Sequence, residues 1–177
     1  MPRARFALAK QQADAVLQRH GIAQRPSGGI PVKAIAETTC GATVVPQAFR
    51  GDGDLAGVLV REPGKRPLIG VNATDSDPRQ RFTIAHELGH LLLHHDPYHV
   101  DRQIYLRGRD SSTAESVQEI EANAFASNLL MPAWMLKKDI DGVPDDAERA
   151  AEELAKMYGV SVPAMTFRLA RFLKYGL

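Results

Sequence analysis

The chain has one cysteine among its 177 residues, Cys40, so it can form neither an intrachain disulfide nor a cysteine-rich zinc site. It has no apolar run near the roughly 18 residues that a membrane span needs. Its N-terminus carries basic residues without the apolar stretch of a secretory signal. The net charge of +1 gives no general reason to expect a nucleic-acid or acidic partner. We therefore expect a cytoplasmic protein that does not associate with membranes.

The pattern of helix and strand signals predicts an α+β fold. A helix is expected over residues 3–20, and a second short helix is expected from Pro31. Three β-rich runs follow, "ATVVPQAF", "LAGVLVRE" and "RPLIGVNA", separated by the turn-forming stretches "RGDGD" and "PGKR". These runs predict a small antiparallel three-stranded sheet. The rest of the chain is mainly helical, which places the sheet against a mostly helical domain.

The stretch with the most specific chemistry is "FTIAHELGHLLLHH", which holds four of the six histidines. It contains His86-Glu87-Leu88-Gly89-His90, an H-E-x-x-H motif on a predicted helix. Residues four apart lie on one helix face, so His86 and His90 can bind one metal ion. Glu87 lies beside them, where it can accept a proton from a water molecule activated by zinc. The motif predicts one Zn²⁺ per chain, with Glu87 as general base.

Two plainer interpretations of the motif stay open. The histidines could be a solvated or core pair without a metal, or the zinc could be purely structural. Structural zinc sites usually fill all four ligand positions with cysteine and histidine. This chain has too few cysteines to form such a site in the usual way. Manganese or another divalent ion could also use the same ligands.

The third ligand must come from outside the motif. Leu93 and Asp96 stand where a metzincin would have a glycine and a third histidine, so that arrangement is excluded. The helix "EIEANAFASNLL" offers Glu119 and Glu121. On a helical wheel Glu119 lies nearer the apolar face, so it is the better candidate, and Glu121 is expected on a solvated face.

The segments "RFTIAHELGHLLLH" and "EIEANAFASNLLMP" resemble the ImmA/IrrE family of zinc-dependent metallopeptidases, and the resemblance spans about residues 30–135. It implies a gluzincin-like fold in which His86, His90 and Glu119 bind zinc and Glu87 is the general base. It also implies that the substrate is a helix-turn-helix repressor of the XRE type, whose cleavage relieves repression. Some relatives carry a C-terminal sensory domain, for which this chain is expected to be too short.

The domain division expected from these features is a metallopeptidase domain over residues 1–135 and a helical extension over residues 136–177. The extension has some helix-turn-helix character, with Ser161 as the cap of its last helix. That helix carries three cations expected to be exposed, Arg168, Arg171 and Lys174. Because a few cations on a terminal helix are usually just a solvated face, direct DNA binding is not expected.

Several residues are secondary candidates for the active site. Asn123 is expected to hydrogen-bond a ligand imidazole. His94, Tyr98 and Tyr105 are candidates for supporting a ligand or stabilising the transition state, and their roles are not distinguished by the sequence. The run "RPLIGVNA" is expected to be a sheet edge that pairs with extended substrate.

Two functions from different classes follow from these observations. The first is a zinc endopeptidase that cuts one partner repressor at a specific site. The second is a binding module that sequesters a repressor or a toxin-antitoxin partner without cutting it. The presence of all four catalytic-type residues favours the enzyme.

Overall fold

The computed structural model describes residues 3–26, 28–49, 55–95, 98–102 and 117–175, and for residues 98–102 and Tyr175 it describes the backbone alone. Helices make up most of this part of the chain, together with one small sheet, which confirms the α+β fold class. The helices, in chain order, are α1 Phe6–Arg19, α2 Val32–Ala34, which continues into a π-helical turn at Ile35–Thr39, α3 Asp77–Leu93, α4 Val117–Leu130, α5 Ala133–Asp139, which continues into a 3₁₀ turn at Ile140–Gly142, α6 Ala147–Tyr158 and α7 Val162–Tyr175.

The sheet has four strands in the described residues, where the sequence predicted three. They are β1 Thr43–Gln47, β2 Leu55–Val60, β3 Leu68–Asn72 and β4 Tyr98–Arg102. The order across the sheet is β1-β3-β2-β4. The sheet is mixed and not antiparallel throughout, because β1 pairs with β3 in parallel while β2 pairs with both neighbours antiparallel. Turn signals between neighbouring runs correctly predicted the β2–β3 hairpin, but they carry no information on the parallel β1–β3 pair.

The expectation that "RPLIGVNA" forms a sheet edge is wrong. It forms β3, which lies between β1 and β2 and is hydrogen-bonded on both sides. Four successive residues of β3, from Ile69 to Asn72, are buried. A strand covered on both faces lacks the alternation of apolar and polar residues seen in half-exposed strands. The lack of alternating apolar and polar residues in "RPLIGVNA" was the feature of the sequence that indicated an interior strand of the sheet.

The core lies where α3 packs on α4 and on the sheet, and where α4 packs on α1. Gly21 follows the first helix with a φ of 76°, a backbone conformation that favours glycine at the end of a helix. The C-terminal helices contribute to the same apolar cluster, through side chains such as Leu154, Tyr158, Met165 and Leu169. The division after residue 135 stays a prediction. No helix in the described ranges is long and apolar enough to cross a membrane.

The last helix has the predicted cap, but of its three cations only Lys174 is exposed, Arg171 is partly buried and Arg168 is buried. Ser161 Oγ accepts a hydrogen bond from the Ala164 amide at 3.3 Å. Arg168, expected to be exposed, is only 3% exposed and donates to the Met131 carbonyl and to Asn128 Oδ1, each at 3.0 Å. Burial lowers the pKa of Arg168 to about 10. This arginine is therefore not available to contact a phosphate backbone.

Candidate metal centre

The helix that carries the H-E-x-x-H motif is α3, which begins at Asp77. Ser76 is its extended N-cap residue, and Pro78 lies in the first turn, where the missing amide hydrogen costs nothing. The helix ends at Leu93, after which His94 has extended backbone angles. Residues 83–90 are all buried, so the motif lies inside the protein. Histidines on this buried helix need polar partners, because an unpartnered buried polar group is costly.

Three side chains converge at one point between α3 and α4. His86 Nε2 and His90 Nε2 lie 3.0 Å apart. Glu119 places Oε2 3.3 Å from His86 Nε2 and Oε1 3.3 Å from His90 Nε2. Zinc–ligand bonds of about 2.0–2.1 Å in tetrahedral geometry put ligand atoms roughly 3.3 Å from one another. The ligand atoms of the three side chains therefore lie close enough together to share one zinc ion.

The direction of the histidine protons also fits a cation. His86 Nδ1 lies 3.0 Å from Asn123 Oδ1, which can only accept, so the proton of a neutral His86 ring is on Nδ1. The lone pair on Nε2 then points at the same place as the Glu119 carboxylate. An electron pair beside a carboxylate oxygen is a repulsive arrangement unless a cation or a proton lies between them. The donor set thus fits a metal ion.

The surroundings of the Glu119 carboxyl favour its ionised form. Its burial would raise its pKa, but His86 and His90, when they are protonated, donate to it and add positive charge, which outweighs burial and holds the pKa well below its usual range. Glu119 is therefore ionised at neutral pH, as a metal ligand must be.

Glu87 lies on the sheet side of the same helix and is completely buried. A Cβ atom added to Gly57 of β2 would lie 3.0 Å from Glu87 Oε1 and would overlap the methyl group of Thr83. Gly57 thus leaves the space that this carboxylate occupies. The need for a small residue on β2 was not evident from the sequence, since a glycine in a strand has several common explanations.

Gly89, the fourth residue of the motif, brings the two helices together. A Cβ atom at this position would lie 2.9 Å from Ala122 Cα and 3.1 Å from the Ala122 carbonyl oxygen. The two helix backbones can approach this closely only because Gly89 has no side chain. The close approach carries Glu119 and Asn123 within reach of His86.

Glu121 corrects an expectation from the sequence. It was expected on a solvated face, yet it is 1% exposed. Its carboxylate accepts from Arg5 Nε at 2.9 Å and from the other guanidinium nitrogen at 2.7 Å, and it lies 3.2 Å from His94 Nε2. The hydrogen bonds from Arg5 lower the pKa of Glu121 to about 2. A wheel of apolar residues could not locate this site, because its partner Arg5 is 116 positions away.

Of the three remaining candidates, His94 lies beside the proposed metal ligands, whereas the side chains of Tyr98 and Tyr105 are not described by the structure. His94 is 5% exposed, and its Nδ1 lies 3.1 Å from His90 Nδ1. This geometry favours support of a ligand over contact with a transition state. Tyr98 begins β4, but only its backbone is described, and Tyr105 lies outside the described residues.

The fold and the centre together define a class: an α+β protein with a His-His-Glu group that could hold a metal ion beside a buried glutamate. The model of the family described as IrrE N-terminal-like domain, Peptidase_M78, matches residues 48–170. The chain therefore belongs to the ImmA/IrrE family, a family of metallopeptidase-like proteins. The matched range extends past residue 135, where the sequence predicted the end of the metallopeptidase domain.

Individual relatives cover the chain in part. Radiation response metalloprotease IrrE of Deinococcus deserti is 34% identical over 112 residues, which are 58% of this chain and 36% of that protein. Uncharacterized immunity region protein 2 of Bacillus phage phi105 is 28% identical over 99 residues, 54% of each chain. The chain thus spans about half or less of these relatives. A Mycobacterium tuberculosis transcriptional regulator has the same fold, with a TM-score of 0.62 and 17% identity over 92% of this chain and 46% of that one.

Proposed function

We propose that the chain is a zinc-dependent endopeptidase that cleaves a partner XRE-type helix-turn-helix repressor at a specific site and so relieves repression in the cytoplasm. The observation that carries this proposal is the convergence of His86, His90 and Glu119 at 3.0–3.3 Å beside the buried Glu87. This is the donor set of a catalytic zinc site, with three protein ligands and room for a further one.

The proposed roles follow from position. His86, His90 and Glu119 hold one Zn²⁺, and Asn123 orients the His86 ring through its Nδ1 proton. When bound, zinc supplies Lewis acidity, which polarises a carbonyl group and makes a water molecule more acidic. Glu87 accepts the proton of the attacking water and delivers it to the leaving amine. Burial of Glu87 beside Gly57 keeps its carboxylate in a fixed orientation, so little reorganisation is needed at the reaction step.

The substrate class rests on the relatives and not on the geometry. One is named a metalloprotease of the radiation response, and the other is named a protein of a phage immunity region. Both names belong to regulatory settings, and a repressor is the regulatory substrate that the family resemblance implies. Nothing in the charge of the chain favours DNA as the direct partner, and the burial of Arg168 removes one of three possible phosphate contacts.

The test is incubation of the zinc-loaded protein with an XRE-type repressor encoded beside it, followed by mass spectrometry of the products. We expect one specific cut with the wild type and none with Glu87→Gln, which should still bind zinc and the repressor. Glu62→Gln, a charge change at an exposed glutamate, is the matched control and should cut normally. If both the wild type and Glu87→Gln bind the repressor and neither cuts it, the binding module replaces the peptidase.

A further inference from the structure

A continuous row of side chains connects the start of α1 to the metal centre. Arg5, the residue just before α1, donates hydrogen bonds to the carboxylate of Glu121 from its backbone amide, at 2.7 Å, and from two guanidinium nitrogens. Glu121 Oε2 lies 3.2 Å from His94 Nε2, and His94 Nδ1 lies 3.1 Å from His90 Nδ1. The far nitrogen of His90 is the one that faces Glu119. These four residues, Arg5, Glu121, His94 and His90, are called the relay below.

The order of protons along the relay follows from its two ends. The Glu121 carboxylate can only accept, so His94 donates to it from Nε2. A neutral His94 then has its lone pair on Nδ1, and it accepts the Nδ1 proton of His90. His90 is left with its lone pair on Nε2, the atom that points into the centre. Each hydrogen bond therefore determines the next, from Glu121 to the atom that would bind the metal.

We propose that Arg5 and Glu121 are positioning residues that, through His94, fix the ring of His90 in its metal-binding tautomer and orientation. This inference rests on the proposed metal site. Arg5 holds the Glu121 carboxylate in place through three hydrogen bonds, and the carboxylate sets the tautomer of His94. The metal centre then depends on the segment before α1, which lies far outside both sequence motifs.

The two histidine ligands are supported differently, and this difference makes the proposal specific. His86 has an amide partner on α4, Asn123, in direct contact. His90 has His94 and, behind it, a carboxylate that accepts three hydrogen bonds from Arg5. A carboxylate behind a histidine raises the basicity of the ring and strengthens its bond to a metal. Loss of the relay should therefore affect His90 and leave His86 unchanged.

The first measurement is zinc affinity, by competition with a chromogenic chelator. Arg5→Met and Glu121→Gln should weaken zinc binding about 10–100-fold, the usual loss for a partner of a ligand. The Glu121→Gln substitution should weaken zinc binding because a glutamine amide can donate as well as accept a hydrogen bond. The side chain at position 121 then no longer determines the tautomer of His94. Arg5→Lys should restore part of the affinity. Arg3→Met, an exposed arginine two residues earlier, is the matched control and should bind zinc as the wild type does.

The same substitutions would also weaken zinc binding if the Arg5–Glu121 ion pair only held α1 against α4. A second measurement therefore reports on the His90 ring itself. In the Co²⁺-substituted protein, the Nδ1 protons of His86 and His90 should give two exchangeable, paramagnetically shifted proton resonances. Arg5→Met should accelerate solvent exchange of the His90 resonance alone. Asn123→Leu should accelerate exchange of the His86 resonance alone. Arg5 is itself about half exposed, so its replacement leaves no hole in the core.

The outcomes separate this inference from the function on which it rests. If the wild type binds no metal, or binds it equally well after His86→Ala, the metal site fails and the relay fails with it. If the wild type binds zinc and Arg5→Met and Glu121→Gln bind it with unchanged affinity, the relay is overturned while the proposed metal site stands. Equal acceleration of both cobalt-shifted resonances in Arg5→Met would also overturn it, because that result indicates general loosening.

Discussion

Gly89 and Ala122 are in direct backbone contact where α3 crosses α4, and a Cβ atom on Gly89 would lie 2.9 Å from Ala122 Cα. The contact lies one residue from His90 in the first motif and three from Glu119 in the second. The spacing of the two helices at this point therefore sets the spacing of the proposed metal ligands. A change at Gly89 should act on the metal centre although the residue has no side chain to contribute.

Gly89→Ala should push the helices apart and weaken zinc binding. The overpacking costs about 1–3 kcal/mol, which offsets or exceeds the ~1 kcal/mol that alanine gains over glycine within a helix. We expect lower stability in urea unfolding and at least tenfold weaker zinc affinity, of the order found when a ligand is poorly supported. Gly142→Ala is the matched control, since a Cβ atom there meets nothing within 4 Å. Stabilisation by Gly89→Ala with unchanged zinc affinity would contradict the account.

Gly57→Ala should have a different signature, because Gly57 contacts Glu87 and not a proposed metal ligand. The new methyl group would overlap the Thr83 methyl and crowd Glu87 Oε1. Displacement of a catalytic group by about 1 Å can cost on the order of 100-fold in rate. We expect peptide cleavage to fall at least tenfold on that basis while zinc affinity stays near the wild-type value. Turnover and chelator competition on the same preparation measure the two effects.

The double variant Gly57→Ala/Thr83→Ser tests the cause of that loss. Serine lacks the methyl group that the alanine would strike, so part of the cleavage activity should return. Thr83→Ser alone is the control for the loss of the threonine methyl. If the double variant is no more active than Gly57→Ala, crowding at Thr83 is not the reason.

The sequence predicted the parts of the centre that depend on local geometry. His86 and His90 are one helical turn apart, so a helix alone places them together. Glu119 and Asn123 lie on the helix face that the apolar residues indicated, and the structure brings both to the histidines. The α+β class and the β2–β3 hairpin were likewise local inferences, from periodicity and turn residues.

The parts that the sequence did not predict depend on contacts between distant segments. The position of β3 between β1 and β2 follows from a parallel pairing with no turn to mark it. The burial of Glu121 depends on Arg5, and the burial of Arg168 depends on Asn128 and the Met131 carbonyl. Each is a charged residue whose cost of burial is offset by a partner from another element. A helical wheel cannot include such partners.

Arg168→Met should destabilise the protein without changing any binding to DNA. The substitution removes two hydrogen bonds and leaves Asn128 Oδ1 and the Met131 carbonyl without this donor in a buried region. Loss of a buried polar partner costs about 1–3 kcal/mol, which urea unfolding measures. Arg149→Met, at an exposed position on α6, is the matched control and should stay within about 0.5 kcal/mol of the wild type. Equal effects of the two substitutions would contradict the buried role of Arg168.

Removal of zinc should lower the melting temperature by an amount that depends on Glu119. The side chains of His86, His90 and Glu119 bring electron-pair donors to within 3.0–3.3 Å of one another, so a cation that binds them stabilises the folded state. At a zinc concentration 1,000 times the Kd the gain is about 4 kcal/mol. For a chain of this size that corresponds to a shift of roughly 8–16 °C.

Scanning calorimetry with zinc and with a chelator measures that shift directly. Glu119→Gln removes the anionic ligand, and its melting temperature should no longer respond to zinc. Glu121→Gln keeps all three ligands, and its shift should be smaller than that of the wild type, because weaker binding lowers the gain logarithmically. A full shift in Glu119→Gln would mean that the zinc is bound elsewhere, since His86 and His90 alone leave too few protein ligands for a tight site.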